Sequence, residues 1–112
     1  MQIDTVEKGN VTVVKISGKM DTYGLKEVRE RFEQIIEDKN YKIIVDLSEL
    51  NYINSLGLGM FISIFKRIRV QNGDLKFASL KSYVLQMFEL TKLNNVFEFY
   101  PSVDEALKKF IQ

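Results

Sequence analysis

The run Ile43-Ile44-Val45-Asp46-Leu47 constrains the fold more than any other stretch of the chain. It is almost continuously apolar and β-branched, the texture of a central strand covered on both faces rather than a strand with one wet side. A strand of that kind needs helices on both sides of its sheet, and the segments around it supply them. Upstream, Leu25, Val28, Phe32, Ile35 and Ile36 fall on one stripe of a helix whose other positions are Lys, Arg and Glu. Downstream, an apolar helical run extends from Leu58 to Ile68, continuing to about Gln71, and Asn72-Gly73-Asp74 stops it.

The remaining segments fit the same scheme. Val11 to Ile16 reads as a strand, and the turn chemistry of Glu7-Lys8-Gly9-Asn10 makes Gln2 to Val6 its hairpin partner. Gly18-Lys19-Met20-Asp21 breaks the pattern before the first helix, with Asp21 or Thr22 as N-cap. Leu75 to Ser79 alternates as a strand, and Val84, Leu85, Phe88 and Leu93 mark a short helix. Val96 to Tyr100 is the last strand. Ser102 and Glu105 form a capping box for a final helix whose apolar face is Val103, Ala106, Leu107, Phe110 and Ile111. The expectation is one α/β domain over residues 1–112, with a mixed sheet of about five strands and about four helices, the two alternating after the opening hairpin.

Composition narrows the chemistry. There is no Cys and no His, which excludes disulfides, thiol chemistry, Ser-His-Asp triads and His-ligated zinc. A net charge of +1 gives no electrostatic reason to expect nucleic acid or an anionic membrane as partner, and Lys66-Arg67-Arg69 reads as a solvated helix face. The longest mostly apolar run, Gly57 to Phe65, is too short to span a bilayer, and Met1-Gln2-Ile3-Asp4 lacks the features of a signal peptide. A soluble, cytoplasmic chain without metal or cofactor is expected.

The candidate site is the junction Asn51 to Met60, a small-residue turn built on Asn54, Ser55, Gly57 and Gly59 between the central strand and the second helix. A side chain there lies at a helix N-terminus, which favours negative charge. Ser55 admits three readings: a plain N-cap, a nucleophile served by a Lys or carboxylate base, or a phosphoacceptor. The glycines lack the third member of a dinucleotide fingerprint, since Ile62 stands where it would be, and their use is to bare the backbone for close approach. Leu58, Phe61, Ile62 and Phe65 make the core stripe. Leu56 and Met60 point away from that stripe, either under another layer of the domain or as an apolar rim around Ser55 that docks a partner. Asp46 closes the central strand as a turn or capping residue.

Taken together, Gly18-Lys19-Met20-Asp21, Val45-Asp46-Leu47-Ser48, Tyr52-Ile53-Asn54-Ser55-Leu56-Gly57-Leu58-Gly59 and the closing Phe97-x-Phe…Asp104-Glu105-Ala106-Leu107 resemble a STAS-domain protein of the anti-sigma-factor antagonist type. The resemblance covers nearly the whole chain. It implies a bacterial partner switch in which the unphosphorylated antagonist captures an anti-sigma factor serine kinase. Phosphorylation of the signature Ser, here Ser55, breaks that complex, and a PP2C-type phosphatase restores it. Asp21 matches the family Asp near the partner surface, and the expected docking set is Asp21, Asn54, Leu56, Gly57, Leu58, Gly59 and Met60, with no catalytic residue. Two positions depart from the pattern: Asn54 replaces the usual Asp before the phosphoacceptor, and Leu56 replaces the Ser or Thr after it. A constitutive STAS adaptor that grips an ATPase or a signalling complex is the alternative. Nucleotide binding at the same helix N-terminus is a third reading.

Overall fold

The computed structural model describes residues 1–110, and Ile111 of the expected final apolar face lies outside them. Strands β1 (Gln2–Lys8) and β2 (Val11–Met20) form the hairpin, in antiparallel register from Gln2↔Ser17 to Lys8↔Val11. Gly9, at φ +64°, supplies the left-handed residue of the two-residue turn. Helix α1 (Thr22–Glu37) follows, then β3 (Lys42–Asp46), β4 (Leu50–Ile53), α2 (Ser55–Val70), β5 (Asp74–Ala78), α3 (Ser82–Leu90), a 3₁₀ turn (Leu93–Asn95), β6 (Glu98–Tyr100) and α4 (Val103–Phe110).

The sheet has six strands in the order β1-β2-β3-β5-β6, with β4 paired to β2. All pairings after the hairpin are parallel. The strand β4 is an addition to the sequence-based scheme, and it breaks the simple alternation of strands and helices. It arises because β2 does not stop at Gly18. Its register shifts between Gly18 and Lys19, Gly18 takes φ +107°, and the strand then runs on to pair Lys19 with Tyr52 and Met20 with Ile53.

Helices α1, α2 and α3 cover one face of the sheet, over a core that contains Phe32, Phe61, Phe77 and Phe88. Phe77 sits at its centre, with the rings of Phe61 and Phe97 edge-on at 5.0 Å each. The second face carries a smaller core of Val11, Val13, Ile44 and Ala78, with Ala106 of α4 upon it. The central strand is thus buried on both sides, as its sequence requires: Ile43 and Val45 belong to the first core and Ile44 to the second. Ser102 Oγ accepts the Glu105 N–H at 3.1 Å and starts α4, while the Glu105 carboxylate turns to Lys108.

Candidate functional site

The bulge in β2 and the short β4 bring two helix starts to one end of the sheet. Asp21 and Asn54 are each extended residues that end a strand and cap the next helix. Asp21 Oδ1 accepts from the N–H groups of Tyr23 and Gly24, both at 3.0 Å. Asn54 Oδ1 accepts from Gly57 N–H at 3.0 Å, and the Asn54 carbonyl takes Leu58 N–H. The unpaired N–H groups of the first turn of α2 are thereby reduced to those of Ser55 and Leu56.

The cap is therefore Asn54 and not Ser55, which corrects the reading of that serine as an N-cap. Ser55 is the first residue of α2, its side chain exposed and its hydroxyl not needed to hold the helix. The junction is also not a glycine-rich turn. Gly57 and Gly59 lie within the first two turns of α2, and Asn51 and Tyr52 lie in β4. Asp46 has the expected role: its Oδ1 accepts the Ser48 N–H at 3.0 Å and turns the chain out of β3.

The expected docking residues divide. Ser55, Leu56 (56% exposed) and Gly59 face outward, and Asp21 and Asn54 are partly open. Gly57, Leu58 and Met60 are buried and offer a partner little surface, Met60 showing only its edge in the depression between α1 and α2. The reasons differ. A Cβ on Gly57 would lie 2.9 Å from Ile53 Cγ1 and 3.1 Å from Met20 Cε, so the close approach this glycine permits is made by the protein's own strands. Leu58 belongs to the core stripe. Met60, 5% exposed, sits where α2 runs beside α1, and the neighbouring helix widens the buried arc beyond one stripe.

Two depressions flank Ser55 and Asp21. One, of about 300 Å³, runs between α1 and α2, with Ser55, Leu56, Gly59 and Ser63 along α2 and Arg29 and Glu33 on α1. Arg67 closes its far end by a two-pronged pair with Glu33, the longer contact being 3.1 Å. That hydrogen bond holds the Glu33 carboxyl below its ordinary range, with a further contribution from the charge of Arg29. The other depression, of about 510 Å³, is lined by Lys19, Asp21, Asn51, Tyr52 and Tyr83. Lys81, at the start of α3, donates to Asn51 Oδ1 beside it. Sequence reasoning missed these flanks, because they join residues far apart in the chain. No local pattern signals them; Tyr52 and Tyr83, from β4 and α3, meet there only in the folded chain.

Comparison with known proteins bears on this arrangement. The model of the STAS domain family matches residues 2–106. The anti-sigma-B factor antagonist of Bacillus subtilis (strain 168) is 28% identical over 98 residues, covering 88% of this chain and 89% of that protein. The anti-sigma-B factor antagonist of Listeria monocytogenes serovar 1/2a is 30% identical over 83 residues, covering 74% and 73%. Among solved structures, a putative anti-sigma factor antagonist from Thermotoga maritima superposes with a TM-score of 0.93 at 20% identity, over 98% of this chain and 95% of that one. The phosphorylated form of the Bacillus cell fate determinant SpoIIAA gives 0.76 at 14% identity, over 97% and 99%. At these identities the structural likenesses speak to the fold.

Proposed function

The chain belongs to the STAS-domain family, and from that premise we propose that it is an anti-sigma-factor antagonist switched by phosphorylation of Ser55. It binds an anti-sigma factor that is also a serine kinase, and in doing so frees a sigma factor. The kinase places a phosphate on Ser55 and the complex falls apart; a PP2C-type phosphatase resets it. The chain itself is substrate and binding module, without catalysis of its own, and works in the cytoplasm.

The observation that carries this reading is the division of labour at the start of α2. Asn54 caps the helix through Gly57 N–H, and this leaves the Ser55 hydroxyl exposed beside the half-exposed Leu56. A phosphate adds about −1.5 to −2 charges. At the first residue of a helix, next to free N–H groups and the positive end of the macrodipole, the fold accepts that charge. An apolar contact made through Leu56 does not accept it, because the phosphate would have to shed its water there. Phosphorylation thus acts on the complex and spares the protein. Asn54 in place of the family Asp keeps the cap and removes a negative charge from beside the incoming phosphate.

The test is incubation with the cognate kinase and ATP, read by intact mass and peptide mapping. One added phosphate on Ser55, absent from Ser55→Ala, is expected. A phosphate mapped elsewhere with Ser55 unmodified overturns the reading.

A further inference from the structure

Among the described residues three strands have a single neighbour, β1, β4 and β6, and they are treated differently. The β6 and β4 edges are three and four residues long, which leaves little backbone to pair. The β1 edge is seven residues long, contains no proline or bulge, and has no strand on its outer side among the described residues. The two-residue turn makes Lys8↔Val11 a hydrogen-bonded pair, so Gln2, Asp4, Val6 and Lys8 bond to β2 while Ile3, Thr5 and Glu7 direct their main-chain groups outward. The outward carbonyl of Ile3 is occupied by Arg31 Nη1 at 3.2 Å, and the same nitrogen reaches Thr5 Oγ1 at 2.9 Å. Thr5 and Glu7 keep their outward main-chain groups for another strand.

We propose that this edge pairs with β1 of a second copy of the chain, antiparallel and about a two-fold axis through Val6, to give a homodimer with one continuous sheet. Cross-strand chemistry selects the register. Centring the axis on Asp4 sets Asp4 against the partner's Asp4, two like charges face to face. Centring it on Thr5 requires the Ile3 carbonyl that Arg31 holds and pairs Asp4 with the partner's Val6. Centring it on Val6 sets Asp4 against the partner's Lys8 on both sides of the axis and Val6 against the partner's Val6, while Thr5 and Glu7 exchange main-chain bonds with the partner's Glu7 and Thr5. Val6 is 51% exposed, large and apolar for an edge position, and the pairing covers it. Among the described residues, neither Asp4 nor Lys8 has an ion-pair partner within the chain. Because the paired strands run in opposite directions, the two Ser55 ends point away from one another. Both stay open to partners.

Sedimentation equilibrium over a wide range of protein concentration tests this, with far-UV circular dichroism to show that each variant is folded. The wild type is expected to associate reversibly to a dimer. Asp4→Lys raises the dimer dissociation constant about tenfold, since two symmetry-related attractions become repulsions. The double swap Asp4→Lys/Lys8→Asp brings it back to within about threefold of wild type, because opposite charges again face each other. A wild type that stays monomeric at the highest concentration overturns the proposal. So does a dimer indifferent to Asp4→Lys, or a double swap no better than the single change. None of these readouts involves Ser55 or a kinase.

Discussion

The backbone N–H of Asn54 donates to the carbonyl of Met20 across 3.2 Å, which ties the cap of α2 to the residue just before the cap of α1. Through this bond the register of two parallel strands fixes how two helix N-termini stand side by side. Asp21 and Asn54 then do the same job on neighbouring helices, each accepting N–H groups of its own first turn. What differs is the charge. Asp21 brings a carboxylate to this end of the sheet and Asn54 a neutral amide, so the proposed phosphate on Ser55 would follow an uncharged cap where the usual family pattern has an acid.

Removing the amide tests the cap. Asn54→Ala loses the bond to Gly57 N–H and is expected to lower the unfolding free energy by about 1 kcal/mol. Asn54→Asp keeps an acceptor and adds a charge the helix start favours, so its stability stays within about 0.5 kcal/mol of wild type. Urea denaturation of both variants measures this. An alanine variant as stable as the wild type would mean that Asn54 is not the cap.

The two glycines of α2 should respond to alanine with opposite signs. By helix propensity alone each change gains up to about 1 kcal/mol. At Gly59 a Cβ meets nothing within 4 Å, so that gain is realised. At Gly57 the new methyl runs into Ile53 and Met20, and a net loss of about 1–3 kcal/mol is expected. If Gly59 faces the kinase as proposed, Gly59→Ala is a protein that is more stable and binds less tightly. Thermal unfolding with calorimetric titration of the kinase separates the two effects.

Leu56 and Met60 make a matching pair for docking. Met60→Ala empties part of the core between α1 and α2 and costs about 2–3 kcal/mol of stability. Leu56→Ala leaves stability within about 0.5 kcal/mol, because that side chain is mostly in water. Its effect falls on the kinase complex, where an anchoring residue is worth more than about 1 kcal/mol, or roughly a fivefold loss of affinity. Unchanged affinity of Leu56→Ala would remove the apolar contact from the proposed switch.

The residues show why some of this was legible in the sequence and some was not. The central strand, the hairpin and the helices announce themselves through long periodic patterns, and the motif around Ser55 is specific enough to name a family. The strand β4 announces nothing. Of Leu50-Asn51-Tyr52-Ile53 only the two ends are buried, so the segment has neither alternation nor a continuous apolar run. It is a strand because β2, displaced by its bulge, offers Lys19 and Met20 as partners. The glycines misled for a related reason. Gly57 disfavours a helix locally, but its lack of a side chain lets α2 sit down on Ile53 and Met20, and tertiary packing outweighs propensity. For Met60 the pattern left two readings open, cover by another layer of the domain or an apolar rim, and the structure bears out the first; the periodicity of one helix cannot reveal a second helix lying beside it.

Lys76 provides the last prediction, one that concerns the far face of the sheet. Its side chain is only 6% exposed, yet its ammonium contacts Asp74 at 2.7 Å and Glu98 at 2.6 Å and lies 4.9 Å from the centre of the Phe110 ring of α4. Burial by itself would lower the Lys76 pKa, but the hydrogen bonds to Asp74 and Glu98 outweigh it and the net shift is upward. Glu98 is shifted down, chiefly by its hydrogen bond from Lys76, with burial opposing and Tyr100 and Lys109 assisting. A raised lysine contributes stability that is complete below its unfolded value of about 10.4 and fades as pH climbs through the higher folded value. A depressed carboxylate contributes stability that is complete above its unfolded value of about 4.3 and fades as pH falls through the lower folded value. Lys76→Met fills the same slot without charge and abolishes both contributions. At pH 7 it is expected to cost about 1–3 kcal/mol, below the usual penalty for breaking a buried pair because the partner Glu98 is half exposed. The gap between wild type and variant should narrow below about pH 4 and again above about pH 10.5, where the partners discharge. Urea unfolding across the pH range measures it, and a gap of constant size would mean that Lys76 holds α4 by the packing of its stem rather than by charge.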